Sequence, residues 1–161
     1  MDIEQKGTLI TKIASIVSML QMPIPGRRVL VQVFDKKEGS VFCRMIIGTG
    51  KGNSGFDFKG KAIEWLKENS DVRVSSESND ALIASVGAVS GRNHIVSVSG
   101  GFPKDNLALA IILLAEFENE PVDLVNRDMY VEKAQCQDEV NAILDYLATS
   151  FSHDFLNVMT E

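Results

Sequence analysis

Several kinds of residue are scarce in this chain. Its 161 residues include two cysteines, two histidines and one tryptophan. Cys43 and Cys136 are too few and too far apart for a disulfide framework, no CxxC or His-rich spacing accompanies them, and both read as reduced, packed thiols. No metal site is expected from such a set. No stretch approaches the roughly 20 consecutive apolar residues that a membrane-spanning helix requires, so no membrane span is expected. Met1-Asp2-Ile3-Glu4-Gln5-Lys6 places acids where a secretory signal carries basic residues, and no continuous apolar run follows. These features predict a soluble, cytoplasmic protein. Positive charge is also in deficit: a net charge of -6 argues against general nucleic-acid binding, which draws its affinity mainly from Lys and Arg displacing counterions.

The deficit is uneven along the chain. Residues 1–70 hold 11 Lys or Arg against 7 acids, whereas residues 71–161 hold 5 against 15. One mildly basic and one strongly acidic surface would result if chain halves mapped onto faces; the alternative is an ordinary solvated surface. With 45% apolar and 24% charged residues the composition is that of a globular protein, and the length suits one domain spanning residues 1–161.

Ile10, Ile13, Ile16, Val17 and Leu20 recur at three- and four-residue spacings, which predicts an amphipathic helix over about 5–21, ended by Pro23 and Pro25. Arg28–Phe34 and Ser40–Ile47 are rich in β-branched residues and flank a polar, glycine-ended link, the pattern of an antiparallel hairpin. A glycine-rich loop at Gly48–Gly55 leads to a helix marked by Phe58, Ala62, Ile63 and Leu66, with Ser54 or Asp57 as N-cap. A short strand is expected at Val72–Ser75. Ala81–Ser90 fits either a helix capped by Asp80 or a buried strand, and its composition favours the strand. His94–Ser99 reads as a central strand with His94 at a turn or edge, and Gly100-Gly101 turns the chain into a helix opened by Pro103. Glu116, Glu118 and Glu120 crowd the C-terminal end of that helix, where the macrodipole favours cations. Beyond Pro121, Val140, Ile143, Leu144, Leu147 and Phe151 predict a last helix. The fold class is therefore α/β of the α+β kind: a central antiparallel sheet flanked by N-terminal, middle and C-terminal helices.

Gly50-Lys51-Gly52-Asn53-Ser54-Gly55 spells G-x-G-x-x-G between a predicted strand and a predicted helix, a setting in which backbone amides cradle phosphate. A dinucleotide fold requires a parallel βαβ unit there, whereas Ser40–Ile47 reads as the second arm of a hairpin. Gly55–Ala62 resembles a P-loop but has Ala62 where Ser or Thr would hold magnesium. What remains is a simpler anion site, in which Lys51, Lys59 and Lys61 with nearby glycine amides hold a carboxylate or phosphate; the alternative is a solvated loop. His94 and His153 lack diagnostic partners, and no G-x-S-x-G elbow surrounds Ser97 or Ser99.

The pieces VQVFDKKEGSVFCRMIIG (Val31–Gly48), KGKAIEWL (Lys59–Leu66) and VSVSGGFPKDNLALA (Val96–Ala110) together resemble the GlcG/HbpS-like family. The resemblance covers about half the chain, with a family-like core at about 28–117 and a helical extension at about 118–161. It implies a profilin-like domain, a link to haem or corrinoid binding, and a turn and helix start at Gly100, Gly101 and Asp105. The expected function is a non-enzymatic module that binds a small ligand, such as an anionic molecule, or a protein partner, as a homo-oligomer or within a complex. The alternative is a cofactor-binding protein or enzyme that holds a phosphate-bearing, haem or corrinoid ligand near Gly48–Lys61.

Overall fold

Val29, Val31 and Val33 alternate with Leu30, Gln32 and Phe34, and all six are buried, so this strand needs cover on both faces. The computed structural model, which describes residues 2–19, 28–48, 55–118 and 129–150, supplies that cover. Helix α1 (Ile3–Met19) precedes strands β1 (Val29–Asp35) and β2 (Ser40–Ile47). Helix α2 (Lys61–Glu68), a 3-10 turn (Ser75–Glu77) and helix α3 (Ala81–Ser85) follow. Strands β3 (Gly87–Ser90) and β4 (His94–Ser99) lead to helix α4 (Pro103–Glu118). A helical segment at 129–134 (α5) and helix α6 (Gln137–Ser150) complete the described chain. The sheet has the order β2-β1-β4-β3 and every pairing is antiparallel, as the α+β reading requires.

One face of the sheet carries the larger core. Val29, Val31, Val33, Val96 and Val98 meet Ile13, Ile16 and Val17 of α1 and the apolar body of α4, with Val140 and Ile143 of α6 in the same cluster. Residues 106–114 of α4 are buried without interruption, because a helix that is apolar all round lies between the sheet and further helices. Truncating a fully buried side chain such as Leu113 to Ala should cost about 2–5 kcal/mol. On the other face Phe34, Ala88 and Ile95 pack against Ala62, Ile63 and Leu66 of α2, with Trp65, Val72 and Ile83 at the margin.

The β1-β2 hairpin forms as its sequence indicates. Asp35 Oδ1 accepts hydrogen bonds from the amides of Lys37 (2.9 Å) and Glu38 (3.1 Å), which organises the link. Val33 pairs with Cys43 and Phe34 with Val41, so Phe42 is the extra residue of a bulge. Bulges re-aim side chains, and the Phe42 ring packs edge-on against His94 and Phe117 at 6.0 and 6.1 Å.

Four expectations require correction. Phe58 stands in the turn before α2, which begins at Lys61, and not within that helix. Ala81–Ser90 is not one strand: Asp80 Oδ1 accepts from the amides of Leu82 (2.9 Å) and Ile83 (3.3 Å), which starts the one-turn-and-a-half α3, and only Gly87–Ser90 pairs as a strand. Gly87 is fixed by contact, since a Cβ there would stand 2.2 Å from the Asn106 backbone of α4. The strand expected at Val72–Ser75 is reduced to a bridge between Val74 and Val89 before the 3-10 turn. His94 is no edge residue; it is buried at the start of β4 opposite Asp35. The expectations for Leu20–Gly26, for 119–128 and for 151–161, His153 included, fall outside the described residues, and α1 is described from Ile3 rather than from about residue 5.

Candidate functional site

A polar row crosses the sheet beneath the turn at 55–60. Arg44 on β2, Gln32 on β1 and Ser97 on β4 are neighbours in register, and the same row continues to Ala88 on β3. Gln32 and Ser97 are fully buried, in central strands where apolar residues would be expected. Gln32 is satisfied on both ends of its amide: Nε2 donates to the Asp57 carbonyl at 2.7 Å and Oε1 accepts from Arg44 Nε at 3.1 Å. Ser99, one row along, accepts from the Asp57 amide at 3.0 Å through its hydroxyl. The sheet thus holds the backbone of Asp57 from below by two side chains.

Asp57 in turn holds α2. Its two carboxylate oxygens accept from the amides of Lys61 and Ala62, each at 3.0 Å, although the N-cap position itself is held by Gly60, in the left-handed conformation with φ of 66°, and not by Asp57 as expected. The consequence for the P-loop-like stretch Gly55–Ala62 is direct: amides at the start of α2 that would meet a phosphate already carry a carboxylate. The strand before the loop, β2, is antiparallel to β1, so the parallel unit of a dinucleotide site is absent from this position.

Between the 55–61 segment and α3 lies a cleft of about 420 Å³. Phe56, Phe58, Leu82, Ile83 and Val86 form its apolar walls, and Gly55, Lys59 and Lys61 also line it. The rings of Phe56 and Phe58 stand nearly perpendicular, with centroids 5.5 Å apart. Phe58 and Leu82 are large apolar side chains left 43% and 66% exposed, which marks the cleft as unfilled rather than as a core gap.

Of the residues singled out from sequence, Gly55, Lys59 and Lys61 come together in this cleft. Gly100 stands behind it: a Cβ on Gly55 would lie 3.8 Å from Gly100 Cα, and Gly100 packs against the Phe56 ring and the Arg28 carbonyl so closely that any side chain would collide. Its φ of 101° also favours glycine. Gly101 is held by Asn106, whose Oδ1 accepts from the Gly101 amide and whose Nδ2 donates to the Gly101 and Ser85 carbonyls. Asp105 stands in the first turn of α4 and is not among the lining residues of the cleft. Gly50, Lys51, Gly52, Asn53 and Ser54 lie outside the described residues.

Gln32, Arg44 and Asn106 escaped sequence reading. A lone Gln inside RVLVQVF is the one available signal, since a polar residue in a strand that is otherwise apolar must find partners when buried.

The crowded acids of α4 have separate tasks. Glu116 pairs with Lys12 of α1 at 3.3 Å, and burial raises its carboxyl above the ordinary value despite that cation. Glu118 reaches the β3-β4 turn, accepting from the amides of Asn93 (2.9 Å) and His94 (3.1 Å) and from Asn93 Nδ2 (3.2 Å). Burial alone would raise its carboxyl too, but His94, with Nδ1 3.6 Å away, and these amide donors outweigh it and hold the group below the ordinary value. This buried cluster is on the sheet face opposite the cleft and fastens α4 to the hairpin.

Haem or a corrinoid, the groups implied by the family resemblance, would be ligated through an imidazole, thiolate or thioether. Among the described residues the cleft offers none: His94 is enclosed by Phe42, Phe117 and Glu118, and Cys43 and Cys136 are buried. No group of three His, Cys, Asp or Glu able to hold a metal is found among the described residues, and no helix among them is long and apolar enough to cross a membrane. Comparison of the chain with family models, with curated proteins and with solved structures finds no match.

Proposed function

We propose that this chain is a non-enzymatic binding module that takes a small molecule with an apolar body and an anionic group into the cleft between the 55–61 segment and α3. The observation that carries the reading is the combination of apolar walls from Phe56, Phe58, Leu82, Ile83 and Val86 with Lys59 and Lys61, neither of which has a carboxylate partner among the described residues. Ligand clefts are typically roughly 300–1,000 Å³, mostly apolar, with a few polar groups that fix orientation. The one carboxylate in the wall, Asp57, is committed to the α2 amides, which removes the obvious general base.

Calorimetric titration with 2-naphthoate, against 2-naphthalenemethanol as the uncharged control, tests the reading. The carboxylate should bind more tightly than the alcohol, Lys61→Ala should weaken it several-fold, and Leu82→Asp should abolish it. Equal binding of acid and alcohol, or indifference to Leu82→Asp, would discard the assignment.

A second copy of the chain remains the proposed partner. Val41 and Ile46 lie on strand β2, 39% and 43% exposed, and an edge left unpaired among the described residues with apolar side chains invites pairing. Sedimentation at several concentrations tests it; a monomer throughout would reject it.

A further inference from the structure

Lys59 lines two hollows. Besides the cleft it borders a groove of about 190 Å³ between α2 and the β1-β2 face of the sheet, whose other charged residues are Arg44, Glu64 and Lys67. We propose that this groove is a separate site for the phosphoryl group of a small phosphomonoester, with Arg44 as its principal ligand.

The argument rests on how Arg44 is held. Its Nε donates to the buried Gln32 at 3.1 Å, and Nη2 lies 3.5 Å from the Phe58 carbonyl. Gln32 is locked by its own bond to the Asp57 carbonyl at 2.7 Å. An exposed arginine is normally a flexible side chain that loses entropy on binding; this one is oriented by a neutral amide that leaves its charge uncompensated. Of the five guanidinium N–H donors, two are engaged, leaving three for an oxyanion. No carboxylate among the described residues pairs with Arg44.

The surroundings fit a dianion with a carbon substituent. Lys59 adds a second cation, while Lys67 is neutralised in part by Glu64 at 3.2 Å and rests over the Phe34 ring at 4.8 Å from its centroid. The groove therefore carries a net charge of two positive, matching a phosphomonoester above its second ionisation at about pH 6. Ser40 adds a hydroxyl, and Phe34, Val41 and Ile63 give an apolar floor for the ester carbon. The volume admits a phosphoryl group and a few further atoms. The reading does not rest on the ligand proposed for the cleft, although the two hollows share Lys59.

The test is a 31P NMR and calorimetric titration of the full chain with phenyl phosphate at pH 7.5 and low salt. Carried out on the Leu82→Asp variant, whose cleft is closed to an aryl anion, the titration should show saturable one-to-one binding, with phenol not binding and inorganic phosphate binding several-fold more weakly. Arg44→Met should lose at least tenfold in affinity, and Arg44→Lys should fail to restore it, because a lysine restores the charge without the fork. Lys61→Ala, which alters the cleft alone, should leave the affinity unchanged. Lys59→Met, which leaves the Arg44-Gln32 contact intact, should weaken binding and guards against an Arg44 variant that misfolds. No saturable binding, wild-type affinity in Arg44→Met, full rescue by Arg44→Lys, or equal affinity for inorganic phosphate would overturn the assignment. Co-sedimentation with phosphatidic acid vesicles, lost in Arg44→Met, would place the phosphate on a lipid surface and overturn the small-molecule ligand.

Discussion

Asn106 closes two hydrogen bonds on the backbone of Gly101, accepting from its amide at 3.1 Å and donating to its carbonyl at 3.1 Å. The same side chain reaches the Ser85 carbonyl at 3.3 Å, tying the β4-α4 turn to the end of α3, one wall of the cleft. One buried amide thus joins the packing of α4 to the shape of the proposed binding site.

Asn106→Leu fills a similar volume and strips Gly101 of both bonds. Leaving these part-buried backbone groups unpaired costs about 1–3 kcal/mol at most, so a fall in Tm of roughly 2–4 °C for each kcal/mol lost is expected in a thermal melt. Binding in the cleft should weaken in parallel. A variant as stable as the wild type would show that water replaces the side chain without loss.

Gly100→Ala should disturb the wall behind Phe56. A Cβ there meets the ring at 2.2 Å and the Arg28 carbonyl at 2.7 Å, on a backbone with φ of 101°. Strain and overpacking together should cost about 2–4 kcal/mol in urea unfolding. Gly101→Ala, whose nearest contact would be the Asn106 Oδ1 at 2.7 Å without a positive φ, should cost less.

The pH dependence of stability should carry the signature of Glu118. Its carboxyl is held below the ordinary value in the folded chain, so the unfolded state binds its proton first as pH falls. The stabilisation is fully present above the unfolded value of about 4.3 and is lost as pH drops through the folded value. Glu118→Gln should therefore be less stable than the wild type at pH 7, by about 1–3 kcal/mol for a charged acceptor with buried donors, and the gap should narrow as pH falls below the unfolded value. Glu116 has the opposite sign: with a raised carboxyl it favours the protonated folded state, and that contribution fades as pH rises through the folded value. Glu116→Gln should not reproduce the acid-side convergence. Chemical denaturation at pH 3.5, 5 and 7 separates the two.

Both thiols should be inert in the folded chain. Burial pushes Cys136 up to about 11, with Glu139 adding to the effect, and burial raises Cys43 as well. At pH 8 only about a thousandth of Cys136 would be thiolate. Ellman's reagent should titrate neither cysteine natively and both in denaturant; rapid native reaction would contradict the buried placement.

What the sequence determined was local and periodic. The three- and four-residue spacing of Ile13, Ile16 and Val17 specified α1, the β-branched richness of Arg28–Phe34 and Ser40–Ile47 around the Asp35–Gly39 link specified the hairpin, and Gly100-Gly101 before Pro103 specified the turn into α4. These signals survive in one dimension because a helix or hairpin pairs residues a few positions apart. Tertiary structure alone decided the rest. The division of 81–90 into α3 and β3 depends on Asp80 capping one half while Gly87 meets Asn106 in the other. The partnership of Arg44 with Gln32, and of Gln32 with Asp57, spans 12 and 25 positions. Glu118 finds the amides of Asn93 and His94 across 25 and 24 positions. Spacings of that size carry no period, so only the packing of the sheet between α4 and α2 brings those groups within hydrogen-bonding distance.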